Sequence, residues 1–272
     1  MSERTNARSV MEEVQRVVEI LQARERLEGY DPFGFNPSLL GKALPVAAAL
    51  YRHYFRVLAH GIEKVPQGQV ILIANHSGQI PLDGLMIATA LALEAEEPRM
   101  TRAMVEKWVP TIPFISMLFS RLGQVVGTPE NARLLLRRGG TLMVFPEGSR
   151  GISKTWDKRY QLEEFGLGFM RLALRTGTPI VPVSVVGAEE QIPTFWNARG
   201  VAKLIGMPAL PIGPTFMLPM PVRYRIYFHD PILFEGDPDD EDRAIRAKVD
   251  AVKKKIEEGI ERGLRERPSL FA

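Results

Sequence analysis

The sequence contains no cysteine in its 272 residues. This absence excludes disulfide bonds, thiolate nucleophiles and metal sites built on cysteine. It leaves the redox compartment open, because cysteine-free chains are compatible with either kind of compartment. A reaction that passes through an enzyme-bound cysteine thioester is excluded as well.

Long uninterrupted apolar runs are also missing. The two longest apolar stretches, 39–50 and 205–221, are broken by Lys42 and Pro45 or by several prolines. Both therefore differ from the regular apolar helix of about 20 residues that spans a bilayer. The first eight residues are polar with no apolar segment behind them, which argues against a secretory signal or transit peptide. We expect no transmembrane helix and a place of action on the cytoplasmic side of a membrane.

Neither sign of charge dominates, since 35 Lys and Arg face 32 Asp and Glu, for a net charge of +3. This mild basic bias does not favour nucleic acid as a partner. An anionic lipid surface or a phosphorylated substrate is sufficient to account for it. The 45% of hydrophobic residues supports one well-filled domain.

Short apolar runs alternate with amphipathic stretches along most of the chain, which predicts an α/β fold. The predicted strands cover Phe55 to Ala59, Val70 to Ala74, Met100 to Val105, Thr141 to Phe145, Ile180 to Val186 and Val222 to Phe228. The predicted helices cover residues 8–27, Leu82 to Leu93, Ala132 to Arg138, Phe165 to Arg175 and Asp240 to Arg267. Thr128 is the expected N-cap of the third helix. Pro182 indicates that its strand lies at a sheet edge or carries a bulge.

Three regions follow from this pattern. Residues 1–53 form an N-terminal helical extension, which is also a candidate for membrane association. Residues 54–235 form the α/β domain. Residues 236–272 contain an amphipathic C-terminal helix that we expect to pack on the domain, because its apolar positions recur at spacings of three and four.

The first motif, Asn75-His76-Ser77-Gly78, follows a predicted strand, and α/β folds hold reactive groups at strand ends. A neutral histidine accepts the proton of an attacking alcohol, and a carboxylate on its other ring nitrogen fixes the tautomer. Asp83 is the nearest carboxylate and falls in the first turn of the next helix. The alternatives are a satisfied loop histidine and a helix-start charge.

The second motif, Glu147-Gly148-Ser149-Arg150, follows another predicted strand. Arg150 is suited to bidentate binding of a phosphate, and the glycine permits close backbone approach. Glu147 is a candidate to hold a substrate hydroxyl or to orient Arg150. The alternative is an ordinary turn with a surface salt bridge. Three further cations extend an anionic site or form a solvated charge run: Lys154, Lys158 and Arg159.

Other catalytic patterns are missing. Ser149 lacks the glycine two positions earlier that a hydrolase nucleophile elbow requires, and Ser77 lacks it too. The sequence has no glycine-rich phosphate loop. The four histidines are scattered without the spacing of metal ligands. We therefore expect no metal and no bound cofactor.

With the two motifs in place, the chain from Tyr54 to Leu233 resembles the glycerolipid acyltransferase family, which includes lysophosphatidate acyltransferases and a monoacylglycerol and diacylglycerol acyltransferase-like branch. Asn75-His76, Phe145 to Arg150 and Val181-Pro182-Val183 match the family's blocks in order. The resemblance implies a mixed, largely parallel sheet flanked by helices. It also implies that the Asn-His block supplies the catalytic base and that the Phe-Pro-Glu-Gly block binds the acyl acceptor.

Two departures accompany the resemblance. The usual family spacing places four residues between the histidine and the aspartate, whereas six separate His76 from Asp83. The His-Ser-Gly form is similar to the monoacylglycerol acyltransferase-like branch. Gly123 to Asn131 occupies the place of an arginine-bearing block without matching it, so no phosphate-binding role is transferred there.

The resulting prediction is a peripheral membrane acyltransferase. His76 and Asp83 are its expected catalytic residues, and the expected substrate-binding residues are Asn75, Ser77, Gly78, Glu147, Gly148, Ser149 and Arg150. Acyl-CoA or acyl-carrier protein is the expected donor, and membrane lipids are the expected partners. Two alternatives stay open, a non-catalytic lipid-binding or membrane-tethering protein on the same scaffold and a thioesterase or lipid hydrolase.

Overall fold

The computed structural model describes residues 2–27, 31–77, 80–106, 115–198, 200, 211–215 and 218–271. Among these residues, seven strands form one sheet and two short strands form a separate ribbon. The strands are β1 (Leu58–His60), β2 (Val70–Ala74), β3 (Thr101–Val105), β4 (Val125–Val126), β5 (Thr141–Val144), β6 (Ile180–Val186), β7 (Trp196–Asn197), β8 (Pro211–Ile212) and β9 (Arg225–Phe228).

The sheet has the order β1-β9-β6-β2-β5-β3-β4. The five strands from β6 to β4 are parallel to one another, β9 pairs antiparallel with β6, and β1 is parallel to β9. The carboxyl ends of β2, β3, β5 and β6 consequently meet at one edge of the sheet. The expected mixed, largely parallel sheet is confirmed.

Helices cover both faces of this sheet. They are α1 (Ser2–Leu27), α2 (Pro37–Ala49), α3 (Leu82–Leu93), α4 (Ile115–Arg121), α5 (Pro129–Arg137), α6 (Ser149–Ile152), α7 (Gly168–Thr176) and α8 (Asp242–Glu266). Alternate residues of β2 point to opposite faces, so Leu72 packs in the core with α3, whereas Ile73 packs with α5, α7 and α8. This two-sided burial explains why β2 and β6 are continuous apolar runs.

The N-terminal extension packs on the outer side of α3. Val14 and Leu21 of α1 and Leu40 and Leu44 of α2 share one buried cluster with Ala92. At the other end of the chain, α8 buries its apolar stripe against the face of the sheet that carries α5 and α7. None of the described helices is both long and apolar enough to cross a membrane.

Most predicted elements are present close to their expected bounds. The helix from Leu82 to Leu93 is observed as predicted. Thr128 caps α5, because its side chain accepts the N–H of Asn131 at 3.2 Å. Gly177 ends α7 with a φ of 59°, a conformation that favours glycine.

Two expectations about strands need correction. The edge position predicted from Pro182 is wrong, since β6 pairs with β2 on one side and β9 on the other. The alternative, a bulge, is present: Ile180 pairs with Ile232, the carbonyl of Pro182 accepts the N–H of His229 at 3.0 Å, and two residues lie opposite Val181 between these contacts. An irregular ladder tolerates the missing proline N–H.

The strand predicted from Phe55 to Ala59 is shorter and later, at Leu58–His60. Phe55 instead follows a π-helical turn, in which its N–H donates to the carbonyl of Leu50 at 2.8 Å. Its ring is fully buried, which accounts for the apolar signal without a strand. Of the apolar stretch 205–221, residues 205–210, 216 and 217 lie outside the described residues.

Candidate active site

The two sequence motifs meet because β2 and β5 are adjacent and parallel. Ile73 of β2 is in register with Val144 of β5, so the loops that follow these strands leave the sheet side by side. The N–H of His76 donates to Oε1 of Glu147 at 3.0 Å, a direct bond between the two loops. The site is therefore built at the carboxyl edge of the sheet, where the sequence predicts it.

The structure brings His76 and Asp83 together. Nδ1 of His76 lies 2.8 Å from Oδ2 of Asp83, which is fully buried in the first turn of α3. The same oxygen accepts the N–H of Ser77 at 2.9 Å and its hydroxyl at 3.2 Å, and Oδ1 accepts the N–H of Gly84 at 2.7 Å. These donors hold the carboxylate in place.

A second contact orients the imidazole. The ring of His76 stacks on the ring of Phe145, with centroids 4.1 Å apart and planes inclined by 24°. The side chain of His76 is 15% exposed. With Nδ1–H donated to Asp83, Nε2 is left as the basic atom, and within the described residues it has no hydrogen-bond partner. The arrangement can accept a proton from a group that approaches Nε2.

Glu147 lies inside the protein, behind the histidine. Its Oε1 binds the N–H of His76, and its Oε2 accepts from Nζ of Lys154 at 2.8 Å and from the N–H of Glu163 at 2.9 Å. Its side chain has no exposed surface. The structure thus places Glu147 against His76 rather than against Arg150.

Lys154 sits between two buried carboxylates. Its Nζ lies 2.8 Å from Glu147 and 3.3 Å from Glu189, and its side chain is 4% exposed. Burial lowers the pKa of Lys154, but the charges of Glu189 and Glu147 outweigh burial and raise that pKa above its ordinary value. Burial raises the pKa of Glu189 to about 7, although Lys154 and the N–H of Tyr160 act in the opposite direction.

Asn75 and Ser77 hold the loop to its surroundings. The side chain of Asn75 forms two hydrogen bonds with the backbone of Val185, accepting its N–H at 2.8 Å and donating to its carbonyl at 3.0 Å. This pair ties the end of β2 to β6. Gly78, the remaining predicted residue of the first motif, lies outside the described residues.

The rest of the second motif forms a tight turn into α6. Gly148 has φ 57° and ψ −143°, and a Cβ there would lie 2.6 Å from Oε1 of Glu106. Ser149 begins α6 and its carbonyl accepts the hydroxyl of Ser153 at 2.7 Å. Arg150 is about half exposed and donates to the carbonyl of Glu164 at 2.7 Å.

Glu189 is a further residue of this arrangement, and it lies outside both sequence motifs. Glu189 follows β6, whose carboxyl end lies at the same sheet edge as the two motifs. The strand-end argument that selected His76 and Glu147 would also have selected it. For Lys154 the sequence leaves two alternatives, an anionic site and a solvated charge run, and only the structure separates its buried side chain from the exposed Lys158.

The described residues contain a cavity away from this site and no group suited to hold a metal ion. No group of three or more His, Asp or Glu side chains among the described residues is arranged to hold a metal ion. A cavity of about 230 Å³ lies at the opposite edge of the sheet, near the first residue of β5, and is lined in part by Arg24, Arg99 and Arg138. It contains none of the candidate site residues.

Comparison with known proteins places this geometry in a family. Residues 56–186 match the family model described as Acyltransferase, a range that includes His76, Asp83 and Glu147. An uncharacterized protein of Mycobacterium tuberculosis is 33% identical over 264 residues, which cover 91% of this chain and 74% of that protein. A probable 1-acyl-sn-glycerol-3-phosphate acyltransferase of Mycoplasma pneumoniae is 30% identical over 151 residues, 53% of this chain and 54% of that one.

The fold has a counterpart among solved structures. The crystal structure of the 1-acyl-sn-glycerophosphate acyltransferase PlsC from Thermotoga maritima superposes with a TM-score of 0.54 at 21% identity, covering 86% of this chain and 83% of that chain. The family-model match and the relative that is 33% identical show that the chain belongs to the acyltransferase family, as its two loop motifs predict.

Proposed function

We propose that this protein transfers a fatty acyl group from the thioester of acyl-CoA or acyl-carrier protein to a hydroxyl of a glycerolipid acceptor. The observation that carries the proposal is the hydrogen bond between His76 and the buried Asp83, at a sheet edge shared with Glu147. A histidine fixed in this tautomer is a suitable base for an alcohol.

The reaction is a direct displacement. The acceptor oxygen attacks the thioester carbonyl carbon, its proton passes to Nε2 of His76, the carbon–sulfur bond breaks, and the proton is delivered to the departing thiolate. Asp83 stabilises the imidazolium that forms in between. The chain offers no cysteine or elbow serine for a covalent acyl intermediate.

The loop after β5 shapes the acceptor side. Glu147 acts through the backbone of His76, since both of its oxygens are already bound. Arg150 is an exposed cation of this loop, and among the described residues its partner is the exposed Glu164. We assign to Arg150 the recognition of a phosphate on the acceptor, as the name of the Mycoplasma relative suggests.

The acceptor class includes lysophosphatidate, another lysophospholipid, and monoacylglycerol or diacylglycerol. All of them present a free hydroxyl beside an acyl chain, and all reside in a membrane. The protein therefore acts as a peripheral membrane enzyme, with membrane lipids and the donor as its partners. No metal or bound cofactor takes part in the mechanism.

Thiol release from palmitoyl-CoA, followed with lipid product analysis, tests this function. Release that requires lysophosphatidate or monoacylglycerol, with a matching acylated product, supports the transferase. Release without any acceptor indicates a hydrolase. Vesicle binding without release from acyl-CoA or acyl-carrier protein indicates a lipid-binding scaffold.

A further inference from the structure

The ribbon formed by β7 and β8 carries large apolar side chains that are exposed in the described part of the chain. Phe195 and Trp196 are each 62% exposed, and Ile212 is 45% exposed. Leu218, whose N–H donates to the carbonyl of Thr215 just after β8, is 73% exposed. Single exposed apolar residues are ordinary on protein surfaces, but a group of this size within one projecting element is not.

Two of these side chains share one face of the ribbon, because Trp196 is paired directly with Ile212. Phe195 lies on the bend just before β7. A deformable apolar medium can surround a projecting element of this kind. A two-stranded ribbon of this length is also only marginally stable in water, so a medium that covers its side chains stabilises it.

The ribbon is attached to the loop that carries the active site. The amide of Asn197 donates to the carbonyl of Ser153 at 2.8 Å, and the N–H of Trp156 donates to the carbonyl of Thr194 at 2.7 Å. Between these two anchor points lies Lys154, which binds Glu147. The exposed ribbon therefore lies at the same edge of the sheet as His76.

Cations border the apolar residues. The guanidinium of Arg159 lies 4.5 Å from the ring centroid of Trp156, whose ring is 6.3 Å from that of Phe195. Lys158 adds a second cation to this turn, which holds one carboxylate, Asp157. Aromatic and aliphatic side chains beside Lys and Arg are the composition that binds the headgroup region of anionic bilayers.

We propose that the ribbon, defined by Phe195, Trp196, Ile212 and the neighbouring Leu218, is the surface by which the protein docks on an anionic lipid bilayer. The aromatic rings enter the interface while Lys158 and Arg159 meet lipid phosphates. Docking in this way turns the His76 edge toward the membrane. This inference rests on the proposed function for its choice of lipid over protein as the occupant.

The test compares the double variant Phe195→Ser/Trp196→Ser with Leu233→Ser as the matched control. Leu233 is 60% exposed but follows Ile232, which pairs with the first residue of β6, so it lies at the opposite edge of the sheet. Binding is measured by co-sedimentation with vesicles of equimolar phosphatidylcholine and phosphatidylglycerol. Both variants should melt as the wild type does, because the replaced side chains are exposed.

We expect the double variant to lose vesicle binding by at least about tenfold and the control to stay within about twofold of the wild type. Acyl transfer by the double variant to an acceptor embedded in vesicles should fall as much as its vesicle binding does. Acyl transfer by the same variant to a water-soluble short-chain acceptor should persist. Wild-type vesicle binding by the double variant overturns the inference. The inference is also overturned if the wild type and the control self-associate in a concentration-dependent way and the double variant does not. That result would assign the surface to a second copy of the chain.

The two proposals fail separately. If the wild type transfers acyl groups and the double variant still binds vesicles normally, the docking surface is wrong and the function stands. If no donor and acceptor yield a product, the function is wrong, while a loss of vesicle binding confined to the double variant still supports the docking surface.

Discussion

Nδ1 of His76 lies 2.8 Å from Oδ2 of Asp83, although six residues separate the two in the sequence. The longer spacing is accommodated because His76 lies two residues after the end of β2, while Asp83 sits in the first turn of α3. The hydrogen bonds from Ser77 to the same oxygen close this loop. A departure in spacing thus leaves the contact between base and carboxylate in place.

We predict that Asp83→Asn lowers the rate of acyl transfer by about 10²- to 10⁴-fold. An amide has one acceptor oxygen and a donor NH2 group, so it cannot accept at both oxygen positions as the carboxylate does, and it no longer fixes the histidine tautomer. Steady-state kinetics with saturating donor measures this loss in kcat. Ser77→Ala removes only the 3.2 Å hydroxyl bond and should cost less than about tenfold. An Asp83→Asn enzyme as active as the Ser77→Ala enzyme would contradict the pairing.

Glu189 should make stability depend on pH. Burial raises its pKa from 4.5 to about 7 in the folded protein, so the folded state holds the proton more tightly than the unfolded state does. The stability gained from protonation is complete below pH 4.5 and is lost as the pH rises through about 7.

Between pH 4.5 and about pH 7 we expect the free energy of unfolding of the wild type to fall by about 3 kcal/mol relative to that of Glu189→Gln. Urea denaturation at a series of pH values measures the difference. Leu233→Ser changes no titratable group, so its profile should run parallel to that of the wild type. A parallel profile for Glu189→Gln would show that Glu189 does not titrate in this range.

Gly148 is needed for its backbone conformation. At φ 57° and ψ −143° a side chain is strained, so we expect Gly148→Ala to destabilise the protein by about 1–3 kcal/mol and to reduce activity by displacing the loop that carries Glu147. Thermal denaturation and activity are measured together. Gly168→Ala is the control, because an added Cβ at Gly168 meets no atom within 4 Å. Equal stability of the two variants would exclude strain at Gly148.

Arg150 should discriminate between acceptors. We expect Arg150→Ala to raise KM for lysophosphatidate by about tenfold or more, since a charged hydrogen bond to phosphate is lost, and to leave KM for monoacylglycerol within about twofold. Glu164→Gln keeps Arg150 and replaces the carboxylate that faces it with a neutral amide, so this variant should not raise KM for lysophosphatidate. An equal rise for both acceptors in Arg150→Ala would remove phosphate recognition from this residue.

The sequence predicts the location of the site well because strand ends are local features. The apolar runs that end at Ala74 and Val144 are readable, and parallel pairing brings the following loops together. The burial of the Lys154 side chain is not readable, since it lies in a run of charged residues that includes the exposed Lys158. The two alternatives indicated by Pro182, an edge or a bulge, could not be separated from the sequence, because the bulge is formed with the segment that follows β9, which is distant in the sequence.

The most direct test of the central claim is formation of acylated lipid from palmitoyl-CoA and lysophosphatidate or monoacylglycerol by the wild type and by His76→Ala. If His76 is the base, the variant should keep its fold, measured by circular dichroism, and its vesicle binding. Its product formation should fall by about 10²- to 10⁴-fold. Full product formation by folded His76→Ala protein would contradict the histidine-base mechanism.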